Sequence, residues 1–273
     1  MSIKTYTLDE PQFPQNPRLY LDIPYAIKNG HILNLHIIEP ATPTASNPHF
    51  PLIMFTPSKD FSHTNLEMFF SPLMQLARYG FVIALVETRY LPNTHFPEQT
   101  KDINTATRYM LNHAYQYHID PYRYFSWGLN SGAYSSLLAA WTAHIQKFND
   151  EDVHTQSLRF KGCISFNPLI DLTPEPESKK LQTALLKYFD TTNLAEFNLL
   201  NYVGKKELPN NLIFQVEAAA SHKTDYSKKF VNYLEKSTDL SSIYTMLAAN
   251  ELNDGFFTPY TIDIIVNFLK DNL

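Results

Sequence analysis

Gly128-Leu129-Asn130-Ser131-Gly132 lies between an apolar stretch, Tyr122–Trp127, and a run from Ser131 to Ala143 that is apolar nearly all round. Two glycines spaced four apart around a polar residue let a strand turn sharply into a helix. The central side chain then stands at the top of the sheet. Such a turn serves acyl transfer when the central group is a hydroxyl activated by a base. Here the central residue is Asn130, and an amide cannot be activated as a hydroxyl can. Ser131 carries the adjacent hydroxyl. Its own flanking positions are Leu129 and Ala133, and it reads as a helix-start serine.

The other reactive residue types offer less. Cys163 lies in the apolar run Lys161–Phe166 and reads as a buried strand thiol, since free cysteine is among the most buried residue types. His113 and His118 share one segment predicted as helical, but an isolated H-x4-H carries no metal site. No metal or cofactor is expected. His95 precedes Pro97, and the last histidine in the chain is His222.

Composition narrows the class. The net charge of −5 with scattered basic residues excludes an electrostatic footprint for nucleic acid or a polybasic membrane patch. Met1–Thr5 lacks the apolar core of a signal peptide, and no window approaches the ~18 apolar residues of a membrane span. A soluble, cytoplasmic protein is expected. Glycine is scarce, 7 of 273 residues, where about 7% is usual. Few positions can then take positive φ without strain.

The elements that must position the turn follow from the hydrophobic pattern. Tyr20–Ala26 and His31–Ile38 alternate in polarity around Asn29-Gly30, the signature of a hairpin. Leu52–Thr56, Phe81–Glu87, Tyr122–Trp127, Gly162–Phe166, Asn211–Glu217 and Ser242–Leu247 are apolar runs of strand length. Helical spacing separates them: Thr64–Tyr79 ended by Gly80, a helix opened by Pro97, Ser131–Ala143, a helix with Tyr226, Phe230 and Leu234 in register, and a last helix begun by Thr258-Pro259. Strands alternating with helices predict a mostly parallel sheet of about eight strands, covered by helices on both faces, with an antiparallel opening hairpin. The charged segment 174–209 reads as a short helical cap inserted into a single domain spanning 1–273.

From Phe81 to Ala140 the sequence resembles the small esterase/lipase, carboxylesterase-like branch of the α/β-hydrolase fold. Val86-Glu87-Thr88-Arg89 resembles that branch's V-x-Y-R strand end. Phe96-Pro97, Asp102, Ala106, Arg108-Tyr109, Asp120-Pro121, Arg123 and Trp127-Gly128 resemble its run from F-P to the G-x-S-x-G turn. The resemblance implies a chain order of nucleophile, acid and histidine. Those positions fall on Asn130, Ala219 and Glu251. It also places a loop of oxyanion donors after the Leu52–Phe55 strand, where Thr56-Pro57-Ser58-Lys59-Asp60-Phe61 has no glycine. Ser58, Lys59, Asn130 and Ser131 are the candidate ligand-binding residues.

The missing hydroxyl, histidine and glycine-rich loop predict a catalytically inactive homologue that binds a small molecule or a protein partner in the old cleft. The alternative is a weak or unconventional esterase acting on small acyl esters, with Ser131 as its candidate nucleophile. Homo-oligomerisation and pairing with an active paralogue are further possibilities. Arg89 and Asp102 are expected within ~4 Å of each other, as charge-assisted partners pinning a loop to a helix. Asn130 is expected in strained backbone geometry at a strand-to-helix turn.

Overall fold

The computed structural model describes residues 16–41, 48–173, 178–202, 208–216, 232, 241–246 and 256–273. Eight strands form one sheet: β1 (Arg18–Lys28), β2 (His31–Glu39), β3 (Phe50–Ser58), β4 (Val82–Val86), β5 (Ile119–Asn130), β6 (Gly162–Phe166), β7 (Asn210–Val216) and β8 (Ser241–Met246). Their spatial order is β1-β2-β4-β3-β5-β6-β7-β8. The first two strands pair antiparallel with each other, and β2 pairs antiparallel with β4; from β4 to β8 every pair is parallel. Asn29 at φ 51° and Gly30 at φ 80° turn the opening hairpin, as a primed turn requires.

The strands are buried on both faces because helices cover both. Ile53, Phe55, Phe125, Trp127, Ile164 and Phe166 point to one core. There they meet α1 (Phe70–Ala77) and α5 (Pro259–Asp271). The alternate residues Leu52 and Met54 join a second core with Ala106 and Met110 of α2 (Glu98–Asn112). Cys163 and Ile213 face a third, built on α3 (Ser131–Trp141) and α4 (Lys179–Phe189). A side-chain period of two on a doubly covered strand gives this result.

Several boundaries differ from the sequence expectation. The helix expected over Thr64–Tyr79 is split into a 3-10 turn at Leu66–Phe69 and then α1. Pro72 accounts for it, since inside one continuous helix its ring would clash with the carbonyl of Met68. In the first turn of α1 its missing N–H costs nothing. Gly80, at φ 90°, closes that segment as expected. In the last helix, Thr258 Oγ1 accepts a hydrogen bond from Thr261 N–H (3.2 Å) with Pro259 at the first position. The helix expected at Tyr226, Phe230 and Leu234 lies outside the described residues. No helix among those described is long and apolar enough to cross a membrane.

In the segment read as a cap, Ser178 Oγ accepts from Leu181 N–H (3.1 Å) and opens α4. Two short 3-10 turns follow, Leu194–Phe197 and Leu199–Tyr202. The Tyr134 hydroxyl of α3 donates to the Phe197 carbonyl (2.8 Å), tying these turns to the helix that follows Asn130.

Candidate active site

Strand β5 ends at Asn130 and α3 begins at the next residue, with no loop between them. Asn130 has φ 54° and ψ −122°, a strained setting for a residue with a side chain, costing on the order of 1–3 kcal/mol. The expectation of strain at this residue is met. The two glycines show why the turn can close. A Cβ on Gly128 would lie 2.3 Å from Ala133 Cα, and one on Gly132 would lie 2.2 Å from the Thr56 carbonyl oxygen. The start of α3 is thus pressed against the end of β3, where Ser58 is the register partner of Asn130.

The loop leaving β3 is built differently. Asp60 and Phe61 both have φ 54°, in the left-handed region that favours glycine. Outside contacts hold them there. Phe61 N–H donates to Ser131 Oγ (2.8 Å), the Phe61 carbonyl accepts from Leu91 N–H (2.9 Å), and Lys180 Nζ lies 3.2 Å from the Asp60 carboxylate. The Phe61 ring is fully buried and stacks on Tyr188 of α4, 3.9 Å between centroids. The Ser131 hydroxyl donates to Ser58 Oγ (3.1 Å), which donates to the Ser62 carbonyl (3.3 Å).

The structure therefore brings Ser58, Asn130 and Ser131 together, with the hydroxyls of Ser58 and Ser131 committed to the loop. Lys59 is exposed on the same loop, its carbonyl accepting from Ser62 N–H (3.0 Å). Ala219, Glu251 and His222 lie outside the described residues. His95 is exposed, and its backbone N–H donates to Glu98 (3.2 Å). His113 caps the end of α2 and His118 sits at φ 53° beside Glu39 (2.8 Å). Neither therefore lies within a helix, a correction to the sequence reading. Burial pushes the Cys163 thiol well above its ordinary value, as expected of a strand thiol.

The sequence reading misses two residues. The Asn167 side-chain N–H donates to Asn130 Oδ1 (3.1 Å), and the Gln215 side-chain N–H donates to Asn167 Oδ1 (2.9 Å). Asn167 follows β6 at φ 51°, its backbone N–H donating to the Phe214 carbonyl (2.7 Å). The available signal is a polar residue closing one apolar strand, Ile164-Ser165-Phe166-Asn167, and another inside the next, Ile213-Phe214-Gln215-Val216.

Next to the loop, Arg89 forms the expected pair. Its guanidinium contacts Asp102 at 2.8 Å and Glu98 at 2.8 Å, and its backbone N–H also donates to Asp102 (2.9 Å). Burial alone would lower the Arg89 pKa, but the surrounding carboxylates, Asp102 foremost and Glu98 with it, outweigh burial and raise it. Gln99 links this pair to α3, donating to the Arg89 carbonyl (2.7 Å) and accepting from Ser135 Oγ (3.2 Å). An open groove of about 610 Å³ adjoins the loop, lined by Leu91, Pro92 and the α4 residues Lys179, Lys180, Thr183, Ala184 and Lys187.

A family model described as BD-FAE matches residues 43–234. The chain belongs to the BD-FAE family. No curated protein sequence matches it. Among solved structures, a truncated form of a carbohydrate esterase from gut microbiota superposes with TM-score 0.78 at 17% identity, covering 94% of this chain and 96% of that one. Esterase 2 of Thermogutta terrifontis, phosphonylated by sarin, gives TM-score 0.75 at 19% identity and 96% coverage of both chains. Esterase B of Lactobacillus rhamnosis gives TM-score 0.74 at 14% identity, with 96% and 87% covered. These likenesses show the α/β-hydrolase fold expected from the sequence.

The expectation of a catalytically inactive homologue is corrected. The three solved proteins named above, which share this fold over 87% or more of their length, are esterases, one of them phosphonylated by sarin. The loop without glycine adopts left-handed backbone at both Asp60 and Phe61, under the outside contacts described above.

Proposed function

We propose that this BD-FAE member is a hydrolase of small acyl esters, with its chemistry at the Asn130 turn. The observation that carries the reading is the strained turn itself, kept closed by Gly128 and Gly132 and opening directly onto the N-terminus of α3. The first N–H groups of a helix have no intrahelical partner, and the helix dipole favours negative charge there. The names of similar structures support a small acyl group: Thermogutta terrifontis Est2 has been solved with propionate bound, and esterase B with a C4 phosphonate inhibitor.

An ester carbonyl over the turn would receive hydrogen bonds from the Ser131 backbone N–H and the Asn130 side-chain N–H. Water then adds to the carbonyl carbon, and these donors stabilise the oxyanion. The bond to the alkoxy oxygen breaks, and the proton lost by the attacking water ends on the departing alkoxide. The products are acid and alcohol. A cytoplasmic location belongs to the same proposal, supported by the one buried, unpaired cysteine.

Initial rates on p-nitrophenyl acetate and butyrate test the reading. Saturable hydrolysis is expected, with Asn130→Ala lowering kcat about 10²-fold, the effect of removing one oxyanion donor. The chain should keep its unmodified intact mass during turnover. A rate no higher than the buffer blank would sink the proposal, and an acyl adduct abolished by Ser131→Ala would move the chemistry to that hydroxyl.

A further inference from the structure

Asn130 could present either end of its amide to a ligand, and only the N–H end would stabilise an oxyanion. The two ends are distinguished by what holds them. Asn130 Oδ1 is occupied by the Asn167 side-chain N–H (3.1 Å), while the Asn130 NH2 group has no acceptor among the described residues. Asn167 is in turn oriented by the Gln215 side-chain N–H on its own Oδ1 (2.9 Å). The register fixes this row. Asn130 ends β5, Asn167 follows β6, and Gln215 lies near the end of β7, all at the carboxyl edge of three adjacent parallel strands. That edge is where open α/β sheets keep their sites.

We infer that Asn167 is a positioning residue, and that the Gln215–Asn167–Asn130 row turns the Asn130 amide so that its N–H2 end meets the acyl oxygen of an ester or of its carboxylate product. The inference rests on the esterase reading of this site for its substrate class. With Gln215 donating to Asn167 and Asn167 donating to Asn130, the carbonyl end of the Asn130 amide is the one turned into the row. Reversing Asn130 would set two N–H2 groups against each other and leave Asn167 without an acceptor. The last N–H2 remains for a ligand.

Asn167→Asp separates positioning from scaffolding, because it changes one donor into an acceptor with almost no change of shape. The ionised carboxylate still accepts from Gln215. It cannot donate to Asn130 Oδ1, so the Asn130 amide turns its N–H2 toward that carboxylate and offers its carbonyl oxygen to the ligand. At neutral pH, kcat on p-nitrophenyl butyrate should fall about 10²-fold with KM nearly unchanged, because an oxyanion-type donor acts mainly in the transition state. Lowering the pH through the titration of the introduced carboxylate should restore the rate, since a protonated carboxyl can again donate to Asn130 Oδ1. The described partners of Asn167 are Asn130, Gln215 and the Phe214 carbonyl, none of which titrates.

An unchanged kcat overturns the inference. So does a loss that fails to recover in acid and is matched by a fall in Tm, which would be a scaffold effect. Butyrate affinity by NMR titration keeps the two readings apart. If wild-type protein turns over no ester but binds butyrate more tightly than Asn167→Asp, the esterase reading fails and the positioning role stands. If the wild type turns over no ester, equal affinity of the two, or no butyrate binding by the wild type, overturns the positioning role.

Discussion

The Asn130 turn and the Ser58–Ser62 loop lie side by side at the ends of β5 and β3, and both contain residues at positive φ. The packing around those residues is achieved by opposite means. At the turn, atoms are removed: Gly128 and Gly132 let two backbones approach to distances no Cβ would permit. In the loop nothing is removed, and Asp60 and Phe61 keep their side chains. A serine hydroxyl, a neighbouring backbone N–H, a lysine and a stacked tyrosine hold them instead. Strained backbone can therefore be made permissible from within or imposed from outside. The first depends on single atoms and the second on several partial anchors, so the two regions should respond differently to substitution.

The largest effect should come from Gly132→Ala. Its Cβ would meet the Thr56 carbonyl oxygen at 2.2 Å and the Ser58 nitrogen at 2.8 Å, both backbone atoms that cannot rotate away. A loss of about 5 kcal/mol or more is expected, the exceptional range for one residue. Urea denaturation reads it, and a loss below about 1 kcal/mol would erase the distinction between the two regions.

Asp102→Ala should come next. It removes the buried one of the two carboxylates that hold the Arg89 guanidinium, leaving only the part-exposed Glu98, and a loss toward the lower end of roughly 3–5 kcal/mol is expected. The effect should reach the loop, because the chain from Arg89 to Leu91 supplies the N–H that holds the Phe61 carbonyl. A melting temperature unmoved by the substitution would show that the pair contributes nothing.

Much of this arrangement is readable in the residue pattern. Strand periodicity places the sheet, and the spacing Gly128–Gly132 places the turn, since both are local consequences of side-chain size and polarity. The Arg89–Asp102 pair comes through the resemblance, and the distance between the two side chains confirms it. The conformation of the loop is not legible because glycine is not the only route to positive φ. Its anchors, Tyr188, Lys180 and Leu91, are distant in sequence from Phe61 and leave no local signal. Asn167 and Gln215 escape for a related reason. A polar residue ending an apolar strand shows only that something must satisfy it, and the partner is set by the register of three strands. Ala219 and Glu251, assigned by register to the acid and base positions, lie outside the described residues.

A smaller effect should follow from Ser131→Ala, which removes one outside anchor of the loop. The Phe61 N–H is buried and would lose its acceptor, costing about 1–3 kcal/mol. The remaining anchors should keep the loop close to its present conformation. Hydrogen exchange at the Phe61 amide should rise well above that of the Leu91 amide, which keeps its partner. Equal exchange of the two would show that the serine is not an anchor.

Asp60→Gly should have the smallest effect, and its sign is informative. Relief of positive φ favours the glycine, although aspartate tolerates that region better than most residues, so the gain is below the ~1–2 kcal/mol usual for an L-residue. Two terms oppose it. The unfolded chain gains freedom worth roughly 0.5–1 kcal/mol, and the contact with Lys180 is lost. That contact is a weak term, because the lysine side chain is 74% exposed and exposed pairs contribute about 0–1 kcal/mol. The sum should lie within about 1 kcal/mol of zero. Asp60→Ala, which loses the same contact but keeps a Cβ at φ 54°, should be less stable than Asp60→Gly by about 1 kcal/mol. Paired urea midpoints for the two variants isolate the backbone term, since the lysine contact cancels between them. If alanine proves as stable as glycine, the loop is not strained at Asp60. Its positive φ would then be a local preference of the backbone, and the contrast with the glycine-built turn would disappear.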